Sequence, residues 1–188
     1  WRQLCPLHSA NGQLKWLGSI PSKFHHRVTQ RDDFRDAALG VARWISNKGV
    51  RTQAGLAFNR YVDDADPARV QWCHGAPGIG LFAIRTFEAI GAASLRELAE
   101  HCAEATYAAG DVKANASQCH GLAGNGELLI EVARVLRQER WMQHAIKFGH
   151  MALAYREDLN GRSRWLSDEP GEYGPDFMTG SAGTGHFF

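Results

Sequence analysis

Apolar residues recur at helical spacing along most of the chain. Residues 33–47 place Phe34, Ala37, Ala38, Val41 and Ile45 on one face, which predicts an amphipathic helix. Residues 94–109 do the same with Leu95, Leu98, Ala99, Cys102, Ala105, Thr106 and Ala109. There Ser94, with Glu97 three residues on, reads as a capping box at the helix start. In residues 140–155, Trp141, Ala145, Phe148, Ala152 and Tyr155 step by four, three, four and three. Two further segments, 78–91 and 124–138, are apolar around most of their girth. In the second, Glu127, Glu131, Arg134 and Gln138 make one polar stripe. Such helices are buried between neighbours. Buried and half-buried helices alternate, which predicts an all-α fold with an inner and an outer layer. No strand series is evident. Pro6, Gly12, Gly18 and Pro21 break residues 1–31 into short, poorly readable pieces, so the organised unit is expected over 32–188. The stretch 156–176 is long for a connection.

The buried helices open on a repeated motif. The first copy is Trp72-Cys73-His74-Gly75-Ala76-Pro77-Gly78-Ile79-Gly80. The second is Gln118-Cys119-His120-Gly121-Leu122-Ala123-Gly124-Asn125-Gly126. A third, Phe177-Met178-Thr179-Gly180-Ser181-Ala182-Gly183-Thr184-Gly185, keeps the glycines without the Cys and His. The 46-residue step from Cys73 to Cys119 fits one helix pair per repeat. The glycine spacing superficially matches a dinucleotide fingerprint, but that fingerprint needs a preceding strand and a βαβ unit. The chain begins at Trp1 and breaks off as the third motif launches its helix, so an upstream remainder of a longer protein is expected.

Charge excludes some partners. Twenty-one basic side chains stand against 20 acidic ones, a net charge of +1, which gives no basis for nucleic-acid binding. No apolar run is long enough to cross a bilayer. The four cysteines are Cys5, Cys73, Cys102 and Cys119. They are sparse in a chain of this size, and two share a His-Gly context, which suggests metal binding in a reducing, cytoplasmic setting more than a disulfide framework.

Cys73-His74 and Cys119-His120 are therefore the candidate chemistry. Two thiolates and one imidazole suit zinc, and three protein ligands leave a fourth place open, the catalytic pattern. On the residues alone, buried inert cysteines remain a competing reading. His74 separates two zinc sites: as a fourth ligand it would close the shell, whereas beside the ion it would hold a proton. Cys102 falls on the inner face of a half-buried helix and reads as core. His101, His144 and His150 lie in polar company and read as solvated, and Trp72 reads as a packing anchor. The loop pair His25-His26 has no partner spacing.

The motifs W-C-H-G-x-P-G at 72–78, C-H-G-x-x-G-N at 119–125 and F-M-T-G-x-A-G-x-G at 177–185 resemble the lanthionine synthetase C-like family, the LanC cyclases and their relatives. The resemblance implies an α/α toroid, an inner ring of helices inside an outer one, of which this chain supplies about half. It implies Zn2+ held by Cys73, Cys119 and His120; His74, read as lying beside that ion, is the candidate catalytic proton donor. The implied reaction adds a Cys thiolate to dehydroalanine or dehydrobutyrine in a dehydrated precursor peptide, forming a thioether ring. Related members add glutathione to dehydroamino acids instead, and a non-catalytic toroid binding peptide or glutathione around a structural zinc is a third outcome. The cyclases use a further histidine and aspartate from earlier inner positions, and only the degenerate His8-Ser9-Ala10-Asn11-Gly12 offers a remnant. A toroidal sugar hydrolase would need two carboxylates across a cleft, and the inner helix starts offer Cys and His.

Overall fold

The computed structural model describes residues 31–61, 70–111, 115–167 and 171–188. Cys5, the degenerate motif around His8 and the His25-His26 pair lie outside the described residues. The described residues form six helices: α1 (Asp32–Ser46), α2 (Ala76–Ile90), α3 (Ala93–Ala109), α4 (Leu122–Leu136), α5 (Glu139–Leu153) and α6 (Ser181–Phe187). Two short antiparallel hairpins accompany them. One pairs β1 (Val50–Arg51) with β2 (Leu56–Ala57), the other β3 (Glu157–Leu159) with β4 (Arg162–Arg164). None of the helices is long and apolar enough to cross a membrane.

The two layers follow from the pattern of apolar residues. α2 and α4 bury most of their circumference, including Ile79, Phe82 and Ile84 on the first and Leu122, Leu128, Leu129 and Val132 on the second. They pack side by side and run parallel, because Arg85 meets Glu127 while Glu88, further along α2, meets Arg134. α6 continues this inner row, with Phe187 against Gly126 of α4. α3 and α5 form the outer layer, each folded back antiparallel on the inner helix before it. Their links are two residues long. Gly91 ends α2 in the left-handed conformation, where a residue without a Cβ is unstrained, and Arg137 does the same for α4 at φ 54°. Trp141, Phe148, Leu95 and Leu98 fill the space between the layers. The result is an arc of a partial all-α toroid.

Three expectations are corrected. α2 and α4 each start two residues before the predicted Gly78 and Gly124; in α2 the first turn needs no intrahelical N–H donors and so accepts Pro77. Ser94 does not cap α3: the short link from Gly91 starts the helix at Ala93, leaving Ser94 inside it and Ala92 at the cap with no side-chain hydrogen bond. The chain also contains strands. The stretch 156–176 is partly the β3–β4 hairpin, turned at Asn160-Gly161 with both residues at positive φ. Strands of two or three residues leave too little alternation to read.

The motif glycines have a steric cause. A Cβ on Gly78 would lie 2.0 Å from the Trp72 carbonyl oxygen. On Gly124 it would lie 1.9 Å from that of Gln118, and on Gly183 1.8 Å from that of Phe177. In all three repeats the loop therefore doubles back onto its own helix start, at a separation only glycine permits. Trp72 packs half-buried against the core, as its anchoring role requires.

Candidate metal centre

The chemistry-bearing residues sit where these loops meet the helix N-termini. An antiparallel bridge between Val70 and Gly75 pinches the first loop into a tight turn, with Cys73 and His74 at its tip. Side chain and backbone hold the second loop together. Ser117 N–H donates to Asn115 Oδ1 at 2.6 Å, His120 N–H to Ser117 Oγ at 3.3 Å and Leu122 N–H to Asn115 O at 2.9 Å. In the third loop Asp176 accepts from Thr179 N–H at 2.7 Å. The loops are also stitched to one another. Trp72 N–H donates to Cys119 O at 3.1 Å, and Cys119 N–H donates to Met178 O at 2.7 Å. Equivalent positions of successive repeats are thus brought side by side.

The consequence is a cluster. The ligand atoms of Cys73, Cys119 and His120 all lie within 4.8 Å of one another, and all three residues are half-buried. Cys119 Sγ is 3.5 Å from His120 Nε2. Among the described residues, no fourth His, Cys, Asp or Glu joins this group. His74 stands beside it, with Nδ1 3.1 Å from Cys73 Sγ. Cys102 is elsewhere, fully buried in α3, where burial pushes its thiol well above the ordinary range. His101 and His150 on the outer helices do not belong to the group. His144 corrects the solvated reading: its ring stacks on Tyr107 with centroids 3.5 Å apart and meets Trp141 edge-on.

The electrostatics favour a thiolate. The Cys119 thiol hydrogen-bonded to Cys73 holds the Cys73 sulfur far below its usual value, with His120 and His74 adding to the effect against the cost of burial. The same contact, together with burial, pushes Cys119 up. The contact between the two sulfurs thus favours a thiolate at Cys73 and disfavours one at Cys119. The N-termini of α2 and α4, just beyond the two loops, add partial positive charge.

This donor set fits zinc. Two sulfurs and one imidazole nitrogen are borderline-soft ligands of the tetrahedral zinc type. Ligand atoms at the corners of such a tetrahedron stand about 3.5–3.8 Å apart, and the cluster is already near that size.

Sequence reasoning found the Cys/His residues but not what supports them. Gln118 is buried beside Cys119 and donates through Nε2 to Glu127. Glu127 accepts from Arg85 at 2.7 Å. Arg85 also lies 3.6 Å from Glu131, which pairs with Arg134, and Arg134 reaches Glu88. The polar stripe of α4 is thus a ladder shared with α2. The Arg85–Glu88 half of it was legible only as two charges on an otherwise apolar helix.

Comparison with known proteins agrees with the motifs. A family model described as lanthionine synthetase C-like protein matches residues 21–188. The chain is also similar to a curated zebrafish (Danio rerio) protein, glutathione S-transferase LANCL1. The two are 30% identical over 94 residues, which span 50% of this chain and 23% of that protein.

Proposed function

Because the chain belongs to the lanthionine synthetase C-like family, we propose that it contributes to a zinc-dependent enzyme that forms thioethers by adding a thiol to a dehydroamino acid. In this reading Cys73, Cys119 and His120 would hold the zinc. When bound, the ion supplies Lewis-acid activation that makes an incoming thiol acidic enough to lose its proton near neutrality. A free thiol is mostly protonated there. The carrying observation is that three donors from two repeats converge with no fourth described ligand beside them, the pattern that leaves room for substrate.

The chain's own residues account for the proton. Addition forms a bond from sulfur to the β-carbon of dehydroalanine or dehydrobutyrine, and the α-carbon must then take up a proton. His74, held 3.1 Å from the Cys73 sulfur, is the donor at that point, acting as general acid. The thiol is that of a cysteine in a dehydrated precursor peptide, and the product is a lanthionine-type ring. The name of the zebrafish relative supports a second reading in which glutathione supplies the thiol.

One experiment separates these readings. The intact protein, its metal content measured, is incubated with a dehydrobutyrine-containing peptide bearing a free cysteine, with and without glutathione. Ring closure leaves the mass unchanged but removes the alkylatable thiol; glutathione addition raises the mass by one glutathione. Cys119→Ala should lose both the metal and the activity. A zinc-loaded protein that performs neither reaction would identify a structural site, and full zinc retention by Cys119→Ala would sink the ligand assignment.

A further inference from the structure

The three repeats place a side chain at the same point of each inner helix, six residues after the Cys73-equivalent position: Ile79, Asn125 and Thr184. All three are buried. Ile79 packs in the core, and the other two reach backwards into the preceding loop. Asn125 Nδ2 donates to the carbonyl of Val70 at 3.4 Å, and Thr184 Oγ1 donates to the carbonyl of Ala116 at 3.1 Å. Val70 lies three residues before Cys73, and Ala116 lies three residues before Cys119. The same tie is therefore made twice, from one repeat to the loop before it, and each tied loop carries part of the Cys/His cluster.

We infer that Asn125 and Thr184 are positioning residues that fix the Cys73 loop and the Cys119–His120 loop at the spacing a metal ion requires. The inference rests on the zinc reading above. Energetics support it. Asn125 is 2% exposed, and its Oδ1 has no protein partner. An unmet buried acceptor costs about 1–3 kcal/mol, and Ile79 shows that an apolar side chain fits the equivalent place. The polar group is thus a net cost to packing at that point, offset by what it holds. Thr184, 1% exposed, makes the equivalent tie from α6 to the second loop. Because these side chains contact carbonyls and not the cluster, they act on ligand geometry and not on ligand identity. The backbone bonds Trp72 to Cys119 and Cys119 to Met178 set which loops are neighbours, and the side-chain ties brace the approach of each loop.

The test compares intact wild type with Thr184→Val, Thr184→Ser and Asn125→Leu. Three readouts are taken: zinc affinity by chelator competition, the sulfur-to-cobalt charge-transfer and d–d bands of the Co(II)-substituted protein, and thermal unfolding of the metal-free form. Thr184→Val and Asn125→Leu are expected to weaken zinc by about tenfold, as loss of a supporting partner does, and to alter the cobalt bands. Thr184→Ser, which keeps the hydroxyl, stays near wild type. Unchanged affinity and bands in Thr184→Val, whatever its melting temperature, would overturn the inference, as would equal losses in the Val and Ser variants. A second measurement does not depend on metal: diamide oxidation of the metal-free protein, read as the Cys73–Cys119 disulfide by peptide mapping, slows in Asn125→Leu. If wild type binds no zinc yet this slowing is seen, the zinc reading fails and the tie stands. If neither is seen, both fail.

Discussion

At the scale of single residues, proton placement decides what the site can do. His74 contacts Cys73 without joining the converged donors, so a role in holding the ion and a role in moving a proton make different predictions. His74→Gln keeps the side chain polar but removes the imidazole. It is expected to retain zinc by elemental analysis while thioether formation slows by about a hundredfold or more. Loss of the metal would make His74 a ligand instead. His144 gives a pH prediction away from the site. Burial against Tyr107, and then the charges of Lys147 and Arg140, hold its pKa below the ordinary 6.5. A histidine whose folded value is depressed favours the neutral ring in the folded state. Its contribution is present above 6.5 and weakens as pH falls below that. Wild type should therefore lose stability more steeply than His144→Phe as pH falls below 6.5, as followed by urea midpoints. The sequence placed His144 among polar residues on a helix. Which neighbouring helix would cover it was not written there.

At the scale of elements, spacing located the five helices α1 to α5 to within two residues, because a 3.6-residue period survives over about fifteen positions. What it missed were short features decided by other parts of the chain: the two- and three-residue strands, and the cap of α3. The motif glycines were visible, but the reason for them was not, because the carbonyl that fills each Cβ position lies six residues away in a folded-back loop. Gly124→Ala puts a methyl 1.9 Å from the Gln118 carbonyl oxygen and must displace the Cys119 loop. The expected result is a loss of several kcal/mol or failure to fold, read by denaturant titration. Arg137 presents the opposite case. Exposed, and left-handed at φ 54°, it bears a strain that Gly relieves. Arg137→Gly should raise stability by about 0.5–1 kcal/mol, checked by the urea midpoint with an unchanged slope.

At the scale of the whole molecule, the alternation of fully and half apolar helices was enough to indicate two layers, and the triple motif was enough to indicate their order. The ladder from Gln118 through Glu127, Arg85, Glu131 and Arg134 to Glu88 was only half legible, because a stripe on one helix does not name its partner. Its ion pairs are partly exposed and contribute at most about 1 kcal/mol each. The converged donors should matter more. Zinc at a hundredfold excess over its Kd would stabilise the intact protein by about 2.7 kcal/mol, which raises its Tm. Calorimetry with and without a chelator measures this, and an unchanged Tm would exclude tight binding to the folded state alone. The donors also come from different units: one sulfur precedes the α2–α3 hairpin, and the other sulfur and the imidazole precede α4–α5. On the zinc reading, a solitary hairpin of this kind would bring at most two of the three donors. The complete donor set exists only at the seam between two adjacent copies, so a tandem pair of repeats is the smallest unit that could hold it.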